Sequence, residues 1–172
     1  MPILNVEIKA KSSHHEAIRN TLKQHGAIAH GTDHQIDTYF KVNHGRLKLR
    51  EGNIENNLIH YQRANQAGPK SSKIILYKSN PDSSLKSLLT AANGVLTVVD
   101  KQREIYFIDH VKFHIDTVVG LGQFVEIEVI DASGTMAIDT LQDQCNYYKD
   151  LLNVSDTDLI SESYSDLILR KG

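Results

Sequence analysis

The chain has 172 residues, enough for one domain with a real core, and its 40% apolar and 23% charged content is ordinary for a globular protein. A net charge of −2, from 19 Lys and Arg against 21 Asp and Glu, argues against general nucleic-acid binding but permits strong local fields if the ions are sorted in space. No apolar run suggests a membrane span, residues 1–20 lack a signal-peptide layout, and the single Cys145 cannot form an internal disulfide. The expectation is a cytoplasmic protein that binds neither nucleic acid nor membrane, with Cys145 a buried or half-buried thiol in a reducing compartment.

Residues 5–11 alternate: Val6, Ile8 and Ala10 fall on one face of a strand, and Asn5, Glu7, Lys9 and Lys11 on the other. Ser13 with Glu16 three residues on reads as a capping box. It opens a helix striped by Ala17, Ile18 and Leu22 and closed near Gly26. The chain is then polar from Ala29 until a short strand over 36–40, which Asn43-His44-Gly45 turns into a second strand over 46–51. Residues 58–64 form the next strand. Residues 65–73, with Gly68-Pro69 and a Lys-Ser-Ser-Lys run, read as a loop and a candidate lid. A strand over 74–78 and a short helix over 83–93 follow, then strands over 95–107, 111–118 and 123–130. From Thr135 the period turns helical, with Ile138, Leu141, Cys145, Tyr148 and Leu152 in one stripe. A shorter helix is expected after Ser155, and residues 164–169 read as a closing strand.

Some eight strands with short connections imply an antiparallel α+β fold, a sandwich or a barrel, in a single domain over residues 1–172. Strand after strand carries ions on the face opposite its apolar one: Arg46, Lys48 and Arg50; Lys101 and Arg103; Lys112, His114 and Asp116; Glu126 and Glu128. Either that face is solvated on the outside, or a barrel encloses a charged lumen with helices packed on its apolar exterior. The helices need apolar sheet to rest on, which favours the lumen. Glu7, Asp116, Glu126 and Glu128 are then candidate oxygen ligands for a hard cation, and the bases suit a polyphosphate, with Arg grasping phosphate bidentately and Lys acting as a point charge. So many buried like charges imply a ligand or counter-ions. A solvated surface network remains the alternative from spacing alone.

The order of these motifs resembles the CYTH family, in particular its CyaB-like branch. The resemblance runs from Asn5-Val6-Glu7-Ile8-Lys9-Ala10-Lys11 through Asp37-Thr38-Tyr39-Phe40, Gly45-Arg46-Leu47-Lys48-Leu49-Arg50, Tyr61-Gln62-Arg63 and Lys101-Gln102-Arg103. It ends on His114-Ile115-Asp116, Gly120-Leu121-Gly122-Gln123-Phe124-Val125-Glu126-Ile127-Glu128 and Ser163-Tyr164-Ser165-Asp166-Leu167. The resemblance implies an eight-stranded antiparallel β-barrel, a triphosphate tunnel with helices outside, and Mg²⁺ or Mn²⁺ as cofactor. By motif position it implies Glu7, Lys9 and Asp116 as catalytic residues. Lys9, Lys11, Lys48, Arg50, Arg63, Lys101 and Arg103 would bind phosphate, and Glu7, Asp116, Glu126 and Glu128 the metal. Asn5 departs from the signature, standing where its first Glu belongs.

The activity so implied is a class IV adenylate cyclase, converting ATP to cyclic AMP and pyrophosphate. A metal-dependent triphosphatase acting on thiamine triphosphate or tripolyphosphate is the second reading, and a polyphosphate or nucleotide binder without turnover the third. The barrel edges and C-terminal helices offer surface for a homodimer.

Overall fold

The alternation of apolar and ionic residues resolves, in a computed structural model that describes residues 3–172, into strands that close on themselves. They are β1 (Ile3–Lys11), β2 (Ile28–Phe40), β3 (Arg46–Glu51), β4 (Asn56–Arg63), β5 (Lys70–Lys78), β6 (Val95–Ile108), β7 (Val111–Val118) and β8 (Gly122–Asp131). All neighbours pair antiparallel in the order β1-β5-β4-β3-β2-β6-β7-β8, and β8 returns to β1. The helices are α1 (His15–Gln24), α2 (Leu85–Asn93), α3 (Ile138–Leu151) and α4 (Tyr164–Lys171), with a 3₁₀ turn at Asp156–Asp158.

The outward apolar faces of β1, β7 and β8 make the main core. Val6 and Ile8, Phe113 and Ile115, and Val125 and Ile127 pack against Ile18 and Leu22 of α1 and Leu141 and Cys145 of α3. This is the second of the two arrangements that the pattern allowed: helices cover the apolar exterior and the ions point inward. Cys145 is fully buried there, and burial pushes its thiol up to about 12. Among the described residues no helix is long and apolar enough to cross a membrane.

Three local expectations are corrected. The strand expected over 164–169 is helix α4. Ser163 caps it, accepting from the Asp166 N–H while the Asp166 carboxylate accepts from the Ser163 N–H, and Tyr164, Leu167 and Ile168 turn toward the barrel at helical spacing. No capping box forms at Ser13. His14 is the N-cap of α1 and Ser12 Oγ accepts its N–H at 3.3 Å, so a Ser-x-x-Glu spacing alone did not place the cap. Finally, polarity hid strand. Residues 28–35 belong to β2 and 70–73 to β5, because a polar lumen accepts polar side chains: Asp33, Gln35, Lys70 and Ser72 are all buried. The loop available to act as a lid therefore shrinks to residues 64–69.

Candidate active site

Inward positions of all eight strands surround a cavity of about 130 Å³. Cross-strand register sorts its wall. On β1 and β8, Lys9 stands opposite Glu126 and Glu7 opposite Glu128. On β8 and β7, Glu126 faces His114 and Glu128 faces Lys112, and β6 adds Arg103 opposite Asp116. The facing wall differs in kind: Ile59 and Tyr61 of β4 with Ile74 and Leu76 of β5 form an apolar strip. One end of the barrel is stoppered, with Tyr164, Leu167 and Ile168 of α4 packed against Val99, Val118 and Phe124.

Two ion clusters hold the charged wall. In the first, Arg103 donates to both Asp116 oxygens at 2.8 Å and to Glu126 Oε1 at 3.3 Å, and the Tyr164 hydroxyl donates to Asp116 Oδ2 at 2.7 Å. Lys9 Nζ lies 3.8 Å from Glu126 Oε1 and 4.1 Å over the Tyr164 ring. In the second, Asp37 accepts two bonds from Arg50 at 2.9 Å and one from Lys101 at 2.6 Å, with Lys48 at 3.8 Å. Arg63 pairs with Glu7.

Burial makes these charges compete. Burial by itself would raise the Asp37 carboxyl, but Arg50, Lys101 and Lys48 outweigh it and hold the group well below its usual range. Glu126 is likewise held well below its range by Lys9 and Arg103 against the effect of burial. The cations show the converse. Burial, with Arg50 beside it, pushes Lys48 down to about 7, and burial pushes Lys101 down to about 7 although Asp37 opposes it. A polyanion beside these lysines would restore their charge. Binding of tripolyphosphate at pH 8 is therefore expected to take up protons. Calorimetry in two buffers of different ionisation enthalpy measures this, and equal apparent enthalpies would contradict it. The same shifts act on folding: above pH 7 the unfolded chain holds more protons at these lysines, so without anion their contribution to stability rises from pH 7 toward 10.5.

Of the sequence-predicted site residues, the structure brings Glu7, Lys9, Lys48, Arg50, Arg63, Lys101, Arg103, Glu126 and Glu128 to the cavity wall, with Asp116 fully buried behind Arg103. Lys11 is not brought in: it is exposed at the end of β1. Sequence reasoning assigned no role to Asp37, Glu55, Lys112 or Tyr164. Lys112 was placed on the ionic face beside Asp116 but given no task there, whereas Asp37 shares the parity of Tyr39, so period-two reading of β2 gives its face. Glu55 and Tyr164 lie outside strands, and parity says nothing about them.

The donor set fits a hard divalent cation in part. Glu126, Glu128 and Glu7 offer carboxylates on adjoining inward positions, and the buried Asn5 carboxamide oxygen, one step along the same face, has no hydrogen-bond partner among the described residues. The ligand atoms of His114, Asp116 and Glu126 also lie within 4.8 Å of one another, though both Asp116 oxygens are engaged by Arg103 and Tyr164.

A closed eight-stranded barrel with a cation-lined lumen and helices outside is a triphosphate-tunnel fold. The CYTH domain profile matches residues 4–164, and the chain belongs to the CYTH family. Solved structures with the same fold include the PH1012 protein from Pyrococcus horikoshii, 21% identical over 95% of this chain and 98% of that one, with a TM-score of 0.77. A candidate adenylate cyclase from Vibrio parahaemolyticus is 19% identical over 96% and 98%, with a TM-score of 0.76. A candidate adenylyl cyclase from Hippeastrum, described as having a dominant triphosphatase activity, is 12% identical over 100% and 96%, with a TM-score of 0.64. No curated protein sequence matches the chain.

Proposed function

We propose that the tunnel binds a triphosphate together with Mg²⁺ or Mn²⁺ and cleaves it at phosphorus, as a cytoplasmic enzyme. One observation carries this reading: Lys9, Lys48, Arg50, Arg63, Lys101, Arg103 and Lys112 converge from five strands on one cavity, beside an acidic group on β1, β7 and β8. The basic residues, apart from Lys112, which Glu55 engages, would position the phosphates and neutralise charge as it builds on their oxygens. Glu7, Asp116, Glu126 and Glu128 would hold the cation. The metal, when bound, would polarise the phosphate and lower the pKa of the attacking group. Arg103 keeps Asp116 ionised against the effect of burial, and the Tyr164 hydroxyl helps fix its orientation.

Two reactions compete for this site. In the cyclase reading the ribose 3′-oxygen of ATP attacks the α-phosphorus and pyrophosphate leaves. The apolar strip of Ile59, Ile74 and Leu76 favours it, since it gives an organic group a surface facing the charged wall. In the hydrolase reading water attacks the terminal phosphorus of thiamine triphosphate or tripolyphosphate. The same three side chains favour that too, because none carries a donor or acceptor with which to read adenine. Ile75 and Tyr77, 61% and 64% exposed on the outer face of β5, offer apolar surface for a homodimer.

The deciding experiment incubates purified protein with ATP, thiamine triphosphate and tripolyphosphate under Mg²⁺ and Mn²⁺. Cyclic AMP with pyrophosphate establishes the cyclase, and orthophosphate the hydrolase. Tight binding without product would establish a binder only. Absence of binding to all three would sink the reading altogether.

A further inference from the structure

The cavity contains a carboxylate that neither the metal nor the phosphate assignment uses. Glu55 ends the connection between β3 and β4, yet its side chain is inside the tunnel: Lys112 donates to it at 2.5 Å, Gln35 Nε2 at 2.9 Å and Arg50 Nη1 at 3.4 Å. Strand order makes the Lys112 contact unusual. β4 and β7 are four strands apart in either direction round the barrel, so the Glu55–Lys112 pair crosses from one wall to the opposite one.

The acid is held there by design of its loop. The fully buried Asp33 carboxylate accepts three successive backbone N–H groups, from Asn53 at 2.6 Å, Ile54 at 2.9 Å and Glu55 at 3.0 Å. Gly52 permits that approach, since a Cβ there would lie 2.6 Å from Asp33 Oδ2. Gln35 ties the two acids together, donating to Asp33 at 2.8 Å as well as to Glu55. A turn anchored so firmly does not place a charge in a lumen by accident of flexibility.

Lys112, Arg50 and Gln35 are the donors a phosphate would want, and His114 Nε2, buried on the same tunnel wall, has no hydrogen-bond partner among the described residues. Lys112 stands four residues from Asp116 on β7, about 13 Å along the strand. Tyr164 closes the barrel at the Asp116 end, and Glu55 crosses it at the Lys112 end. Lys9 and Lys101 stand 4.1 and 6.0 Å from the Tyr164 ring at the one end, and Arg50 reaches Glu55 at the other.

We propose that Glu55 is a specificity-determining residue that terminates the phosphate track: its carboxylate fills the outermost anion position, so the tunnel admits a chain of three phosphates and rejects a fourth. The inference rests on the tunnel's binding a triphosphate at all. Its repulsion of a fourth phosphate is electrostatic, and its hold on Lys112 removes the donor that a fourth phosphate would need.

The test is calorimetric binding of inorganic tripolyphosphate and tetraphosphate to the wild type, Glu55→Gln and Glu55→Asp. Glu51→Gln, a charge removed outside the tunnel where Glu51 pairs with Lys86, controls for net charge. Wild type and Glu51→Gln should bind tripolyphosphate at least as tightly as tetraphosphate. Glu55→Gln should improve tetraphosphate binding relative to tripolyphosphate by about tenfold or more, the worth of one charge-assisted hydrogen bond. Adding Lys112→Ala to Glu55→Gln should remove that gain. If Glu55→Gln does not fold, Glu55→Asp, which keeps the charge but withdraws it by one methylene, should move the ratio the same way. Tripolyphosphate binding with an unchanged ratio in the folded Glu55 variants overturns the inference and leaves the proposed function standing. Failure of the wild type to bind either anion overturns both.

Discussion

Glu126→Gln is expected to lower turnover about a hundredfold or more while the protein still folds. Glu126 is the junction of the site: its Oε1 lies within reach of Arg103 and Lys9, and its Oε2 lies 3.4 Å from His114 Nδ1. It is also the acid on β8 that the cation assignment shares with Glu128. The amide keeps the shape and some of the hydrogen bonding but removes the charge, so metal affinity and phosphate positioning fail together. Steady-state rates over a range of Mg²⁺ concentration, with circular dichroism as the fold check, measure it. Activity within severalfold of the wild type would mean that the metal sits elsewhere.

The second large effect concerns stability, and the two ion clusters make it directional. Arg103→Ala strips Asp116 and Glu126 of their shared cation and leaves two buried acids. Asp37→Asn does the reverse, removing the anion that Arg50, Lys101 and Lys48 share and leaving Arg50 only its longer contact with Glu55. Each should cost about 3–5 kcal/mol, the scale of breaking one partner out of a buried ion pair. Their rescue should differ. Tripolyphosphate is expected to restore the melting temperature of Asp37→Asn and not that of Arg103→Ala, which should respond to a divalent cation instead. Equal rescue of both by the same additive would show that the two clusters are not electrostatically distinct.

How legible was this in the chain itself? The barrel was readable because polar or ionic and apolar residues alternate over 5–11, 46–50 and 125–129 of β1, β3 and β8, where one face had to meet helices and the other had to meet something polar. That same rule made Lys11 look like a tunnel residue. Parity gives the face of a strand but not where the lumen stops, and Lys11 lies past its end. Asp37 was hidden for a different reason. Its meaning comes from its place opposite Arg50 in the β2–β3 register and from Lys101 on β6, 64 residues on, and pairing of that range is not written in local pattern. Glu55 depends on Asp33, 22 residues earlier, to fold its turn inward. Helix α4 was misread because eight residues of mixed polarity carry little periodic signal, and its cap at Ser163 was the clue to weigh. Asn5 keeps its importance in a changed form. It is buried at 1% exposure, its oxygen has no hydrogen-bond partner among the described residues, and it stands where the resemblance leads one to expect an acid.

The helix seated in the end of the barrel has a kinetic consequence. With Tyr164, Leu167 and Ile168 filling that end, the lumen is a cul-de-sac and traffic runs through the Glu55 side. In the proposed reaction, the outer of two fragments would depart before the inner, which would have to break its contacts with the lysines and arginines on the way out. Release in that reaction would have a fixed sequence, and the fragment nearest α4 would be the one whose return to the empty tunnel slows the next cycle.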